Sequence, residues 1–217
     1  MRPTDDLKSR VQNDWTAATD HPFTRALADG SLAPEKMAGY LQQDYLFLDG
    51  FVRLLASVIA HAPTLEDAVP AAQFLALITG PENTYFLRSF DALGVRADAP
   101  AASEARAFQD LMAEARHSGR YECMLAVLVV AEWSYLEWAT PFAGRVDDLP
   151  FWLGEWITLH TGDAFADVVA YLRGQLDQVW PGLSAAERAH AEDLFIRAVS
   201  LERAFFDAAE AGFDVAR

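Results

Sequence analysis

The chain has 217 residues, 52% hydrophobic and 23% charged, enough apolar material for a packed core and too much for a disordered chain. Seventeen Lys and Arg face 32 Asp and Glu, a formal charge of −15. That balance repels phosphate backbones and anionic bilayers, so it argues against nucleic acid and membrane surfaces as partners. The one cysteine, Cys123, can close no intramolecular disulfide and forms no thiolate zinc site alone, which points to a reducing compartment. No apolar segment of the signal-peptide kind follows Met1. The longest apolar run, Cys123 to Ala131, is nine residues, well short of a membrane span. A soluble cytoplasmic protein is expected.

In chain order, residues Asp5 to Thr16 read as a first helix capped by Thr4. A short helix over Phe23 to Ala28 ends at Gly30. Ser31 to Glu35, with Pro34 in the first turn, starts a helix that can run to Ala60, about 39 Å at about 1.5 Å per residue. Thr64 opens another with a capping-box-like start. Pro70 is expected to interrupt or kink it, and Gly80-Pro81 to break it. Helices are expected over Asn83 to Leu93, stopped by Gly94, and over Ser103 to His117, stopped by Gly119. Arg120 to Ala139 is apolar nearly all round and reads as a central helix. Pro150 to Val179 is helical with a break near Gly162, and Ser184, with Glu187 three residues on, caps a last helix to about Ala211. No alternating strand pattern, repeat or linker interrupts this. The expectation is an all-α, single-domain helical bundle over residues 1–217.

Within such a bundle the informative residues are acids on apolar stripes. Asp44 lies in the middle of a face made by Met37, Tyr40, Leu41, Phe47, Leu48, Phe51, Leu54 and Leu55. Glu202 sits among Phe195, Ala198, Val199, Phe205 and Phe206. Glu132 follows the apolar run of the central helix and precedes Trp133 and Tyr135, and His160 follows Trp152, Leu153 and Trp156 at helical intervals. A buried carboxylate without a partner costs several kcal/mol or takes up a proton. An arginine or tyrosine from a neighbouring helix could satisfy any one of these groups singly. Three converging in an aromatic interior would instead suit an amine-bearing heteroaromatic ring, with the acids accepting from its amino groups and the aromatics stacking on it.

Two Glu-x-x-His pairs, Glu114 with His117 and Glu187 with His190, have the spacing of di-iron carboxylate bundles. Both fall near helix ends among polar neighbours, with no further glutamates to complete a set, so no metal is expected. Cys123, flanked by Met124, Leu125 and Val127, reads as an inert buried thiol.

The stretch Tyr40-Leu41-Gln42-Gln43-Asp44-Tyr45-Leu46-Phe47-Leu48 resembles the helix of the TenA (thiaminase II) family that carries its ring-binding aspartate. His21-Pro22-Phe23 with Leu27, Gly30 and Leu32 is similar to the start of that family. So are Glu155-Trp156-Ile157 with His160, and Glu202 with Phe205-Phe206. The resemblance runs from about Trp15 to Ala211. It implies a haem-oxygenase-like bundle without haem or other cofactor, a homo-oligomer, usually a tetramer, and hydrolysis of thiamin-derived aminopyrimidines or formylaminopyrimidines. By position, Asp44 would hydrogen-bond the pyrimidine, Glu202 would be the acid/base, and Tyr135 a pocket tyrosine. The family's nucleophilic cysteine falls at Ala131, and three positions that are tyrosine in cysteine-bearing members read Phe47, Phe108 and His160. That pattern resembles the branch that lacks the cysteine, with Glu132, beside the vacated position, as a candidate catalytic acid. A pyrimidine-binding protein without turnover and a metal-dependent oxidase on the same scaffold are the alternatives.

Overall fold

The computed structural model describes residues 2–213. Eleven α-helices and no strand are found among them: α1 (Pro3–Arg10), α2 (Gln12–Thr19), α3 (Pro22–Asp29), α4 (Pro34–His61), α5 (Leu65–Leu77), α6 (Asn83–Leu93), α7 (Ser103–His117), α8 (Tyr121–Ala139), α9 (Phe151–Leu159), α10 (Gly162–Val179) and α11 (Ala185–Ala211). The bundle is the all-α one expected. Pro34 begins α4, and Gly30, at φ 78°, ends α3 in the left-handed conformation glycine adopts without strain. Ser184 and Glu187 form the reciprocal capping box at the start of α11.

Three expectations are corrected. The first helix is two helices, broken at Val11, and Thr4 is not its cap. Thr4 lies buried in the first turn of α1, its N–H and hydroxyl both donating to Asp177 on α10. Pro70 does not interrupt α5. Its missing N–H would have bonded the carbonyl of Glu66, an exposed residue in the first turn, where water can serve that oxygen instead. Nor does Gly80-Pro81 break the chain from α6. Residues Ile78–Glu82 form a π-turn, in which the Asn83 N–H bonds the Ile78 carbonyl five residues back, so α5 and α6 join through one widened turn.

The central helix α8 packs against α2, α4, α7, α10 and α11. Its apolar stretch, Tyr121–Phe142, is long and apolar enough by composition to cross a membrane, yet most of it is buried within the bundle. All the residues from Tyr121 to Ala131 are buried. One apolar cluster gathers Trp15, Phe51, Leu54, Phe108, Phe195 and the N-terminal part of α8. A second gathers Phe23, Tyr40, Tyr85, Phe86, Trp138, Trp156 and Phe206, and Leu48 and Tyr135 pack against both. The polar residues that sequence periodicity places on apolar faces lie near this seam. Gln43 fixes α4 to the start of α7, its amide donating to the Pro100 carbonyl at 3.0 Å and accepting from the Ala102 N–H at 2.7 Å. Gln109 of α7 donates back to the Leu46 carbonyl at 2.7 Å.

Candidate active site

Asp44, Phe47, Leu48 and Phe51 recur at helical spacing on α4 and turn one face inward. Opposite them, Ala131, Glu132 and Tyr135 share a face of α8. Phe74, Ile78 and Glu82 close one side, and Trp156 and His160 another. The empty space between these groups, with its open mouth counted, is about 390 Å³, but only about 30 Å³ of it admits the centre of a water-sized sphere, room for about one or two waters. A second, smaller lobe is lined by Asp44, Phe47, Phe108, Tyr135, Glu202 and Phe205, so the two lobes share Asp44, Phe47 and Tyr135. All seven residues singled out in the sequence therefore meet: Glu132 and His160 in the first lobe, Phe108 and Glu202 in the second, and Asp44, Phe47 and Tyr135 in both.

Burial is the largest influence on each carboxyl. It holds Asp44 and Glu202 well above the usual carboxylate range, with the charge of Glu82 adding to the effect at Asp44 and that of Asp44 adding to it at Glu202. Glu132 is raised well above that range by burial and then by the charges of Glu82, Glu202 and Asp44. No cation or hydrogen-bond donor among the described residues opposes these shifts. Glu202 is 3% exposed, and its Oε1 has no hydrogen-bond partner among the described residues. A fold that leaves a buried oxygen unserved in this way loses about 1–3 kcal/mol unless a ligand serves it.

The polar groups around the acids are neutral. The Tyr135 and Tyr40 hydroxyls share a hydrogen bond of 2.6 Å. Burial first, and then neighbouring charges, raise both phenols far above their ordinary range. His160, the residue after α9, packs its ring on Trp156 and Tyr135 at centroid distances of 4.4 and 4.8 Å. Its Nδ1 lies 2.8 Å from the Trp156 carbonyl. A carbonyl only accepts, so Nδ1 carries the proton and Nε2 is left as an acceptor. Burial pushes the imidazole down to about 4, so it is uncharged near neutrality. Phe47 and Phe108 meet edge to face at 4.9 Å and offer apolar walls where a hydroxyl would otherwise project.

Ala131 lines the first lobe. Cys123 lies two turns earlier on α8, fully buried, with its Sγ 3.6 Å from His190 Nδ1, and burial pushes its thiol up. The two Glu-x-x-His pairs are engaged elsewhere: Glu114 pairs with Arg197 and Glu187 with Arg120.

Glu82 is the residue that sequence reasoning missed. Its signal was masked by Gly80-Pro81, which reads as a helix break and so leaves Glu82 without a periodic face. Trp156 was seen only as the neighbour of His160, although it lines the site itself.

Residues 8–211 match the TENA/THI-4/PQQC family. The chain is 30% identical over 209 residues to an aminopyrimidine aminohydrolase of Halalkalibacterium halodurans, covering 94% of this chain and 93% of that one. It is 22% identical to an aminopyrimidine aminohydrolase of Helicobacter pylori, covering 96% and 99%. The fold is shared with a TenA homologue from Pyrococcus furiosus, at a TM-score of 0.86, 20% identity and coverage of 95% and 98%. These likenesses establish the haem-oxygenase-like all-α fold, and the match over nearly the whole chain, together with the relative at 30% identity, shows that the protein belongs to the TENA/THI-4/PQQC family.

Proposed function

We propose that the protein is a thiaminase II-like hydrolase acting on thiamin-derived aminopyrimidines, with buried carboxylates in place of a cysteine nucleophile. The kinship to the two aminohydrolases supports the reaction class. The observation that carries the site-level reading is the set of carboxyls that line two adjoining aromatic-walled lobes, which share Asp44, Phe47 and Tyr135, with no cation among the described lining residues.

Asp44, kept protonated by burial, presents one O–H donor and one C=O acceptor side by side. An aminopyrimidine edge presents the complementary pair, a ring nitrogen that accepts and an amino N–H that donates. Phe47, Phe108 and Tyr135 bound the ring. In the hydrolysis a water oxygen forms the new bond to carbon while the C–N bond breaks toward nitrogen. The water's proton passes to a site carboxyl, and the leaving nitrogen takes a proton back from it. Glu202, or Glu132 beside Ala131, is the group given this relay, burial raising each well above the usual carboxylate range. With a formylamino substituent the same carboxyls would serve amide hydrolysis. Loss of the thiol disfavours direct thiamin cleavage, which in the family passes through a covalent adduct.

The single-domain organisation over residues 1–217 and a homotetramer are part of the same proposal and rest on the family resemblance. Sedimentation of the purified protein tests the assembly. The activity test is release of ammonia or formate from aminomethyl- and formylaminomethyl-pyrimidines, with thiamin as comparison. Release from the former two, and little from thiamin, is the expected result. Binding of all three without release from any would favour a pyrimidine-binding protein.

A further inference from the structure

The π-turn Ile78–Glu82 has no task in the reading above, yet it separates the site from the surface. Ile78 and Glu82 line the inner lobe. Ile78, with Thr79 and Asn83, also lines a groove against Tyr45, Leu48, Asp49 and Val52. Pro81 and Glu82 line another groove, of about 630 Å³ with its open mouth, against Phe74, Leu77, Thr158, Phe165 and Val168. Glu82 and Phe74 are thus common to the inner lobe and this outer groove. A π-turn adds one residue to the helical course, which turns the following side chains by about a quarter of a revolution or more and so re-aims them. Pro81, which has no N–H to give, is accommodated there, and Glu82, half-buried, lines both the pocket and the outer groove.

The groups around Glu82 leave it without a counter-charge. Asp44 approaches from α4, Glu132 and Tyr135 from α8, Tyr85 from α6, and His160 from the end of α9. None of them is a cation near neutrality. Burial alone raises Glu82, to about 7. Burial first, and then the negative charge of Glu82, raises Asp44 and Glu132 well above the usual carboxylate range, so an ionised Glu82 keeps these two neighbours neutral. One half-buried carboxylate among neutral acids and aromatic rings is a site for a cation at the edge of the pocket.

We propose that Glu82 is the counter-charge for the protonated exocyclic amine of the substrate and so sets a preference for ammonium over neutral and phosphorylated pyrimidines. This rests on the hydrolase reading for its substrate. With Asp44 on the ring edge, an ammonium substituent directed across the lobe that Asp44 and Glu82 both line would meet Glu82. The C–N bond breaks with both electrons passing to nitrogen and water oxygen forms the C–O bond, while a neutral site carboxyl accepts the water's proton at its C=O and gives its own O–H proton to the leaving nitrogen. Ammonium then departs past Glu82 into the outer groove. The hydroxymethyl product has lost the charge that Glu82 holds, which favours its release. A phosphate ester would bring further negative charge into a pocket whose described lining residues include no Lys or Arg.

The test compares wild type, Glu82→Gln and Glu82→Asp. Calorimetry uses the hydroxymethyl-aminopyrimidine and its aminoethyl homologue, neither of which has an aminomethyl leaving group, with hydroxymethylpyrimidine phosphate as the anionic probe. Wild type is expected to bind the ammonium ligand about tenfold or more tighter than the hydroxymethyl one, and the phosphate weakest. Glu82→Gln should bring the first two within about threefold, and Glu82→Asp should keep the order. In turnover, Glu82→Gln should raise KM for the aminomethyl substrate and erase the limb of the pH profile near 7, which Glu82→Asp should retain. An unchanged ligand order with an unchanged pH profile in Glu82→Gln overturns the assignment. If wild type releases no ammonia but Glu82→Gln loses the amine preference, the hydrolase reading fails and the counter-charge stands. If ammonia is released and the preference is indifferent to Glu82, the reverse holds.

Discussion

Asp44 offers an aminopyrimidine two hydrogen bonds only while it keeps its proton, and burial is what keeps it there. Removing both bonds should cost on the order of 2–3 kcal/mol. Asp44→Ala is therefore expected to weaken pyrimidine binding about 30–160-fold by calorimetry. Asp44→Asn should weaken it less, because an amide also presents a donor and an acceptor. Glu202 serves a different purpose. Glu202→Gln keeps the shape and removes the proton relay, so kcat should fall roughly 10²-fold or more while ligand affinity moves only a few-fold. Equal losses in kcat and affinity would remove Glu202 from the acid/base role. Ala131 tests the geometry of the wall. In Ala131→Cys, a small electrophilic thiol probe that enters the lobe lined by position 131 should label it and be blocked by an aminopyrimidine, while Cys123, which does not line that lobe, should stay unlabelled. Peptide mass mapping reads both.

At the scale of elements, α9 places Trp156 and His160, and its own placement depends on glycine. A Cβ on Gly154 would stand 2.9 Å from the Val146 carbonyl oxygen, which accepts from the Leu149 N–H. That contact is with backbone, so it cannot be relieved by a rotamer change. Gly154→Ala should cost about 1–3 kcal/mol. Thermal melting should show a fall in Tm of roughly 2–4 °C for each kcal/mol. At Gly50, where α4 meets α7, the added Cβ would meet the Met112 Cε at 2.7 Å, the end of a flexible side chain that can move aside. Gly50→Ala should be the milder change of the two.

Across the whole molecule, the carboxyls of the site tie stability to pH. Asp44, Glu82, Glu132 and Glu202 hold protons more tightly folded than unfolded, so the folded state carries more protons and stability falls as pH rises. For Glu82 the loss runs from the ordinary glutamate value of 4.5 up to about 7. His160 acts in the opposite sense: its folded value is lowered from 6.5 to about 4, so its contribution is present above 6.5 and is lost as pH falls toward 4. Between 4.5 and 6.5 the two oppose each other. Above that window only the carboxyls act, and Tm should decline there. Glu82→Gln should reduce the decline, and a decline of unchanged size in the variant would show that Glu82 titrates no differently folded and unfolded.

Much of this molecule was legible in the sequence, for a local reason. Helix starts and stops are written in nearby residues, as with Pro34 at the start of α4, Gly30 after α3, and the Ser184–Glu187 pair at α11. An acid on an apolar face, such as Asp44 or Glu202, is likewise visible from periodicity alone, and the family resemblance added Phe47, Phe108 and the vacancy at Ala131. That four carboxyls from three helices and a π-turn line two adjoining lobes could not be read from spacing, because each acid could have met an arginine from a neighbouring helix. Glu114 and Glu187 did meet one, whereas Asp44 and Glu202 did not. Glu82 was hidden for the same kind of reason. A Gly-Pro pair ends a helix by its own propensity, and only packing between α5, α6 and the centre of the bundle holds it as a π-turn. The sequence determined the helices and the face each acid occupies, since these depend on neighbours within a few residues. Which acids remain unpaired, and therefore protonated and open to a ligand, was decided by tertiary structure, because desolvation and charge pairing depend on what the other helices bring.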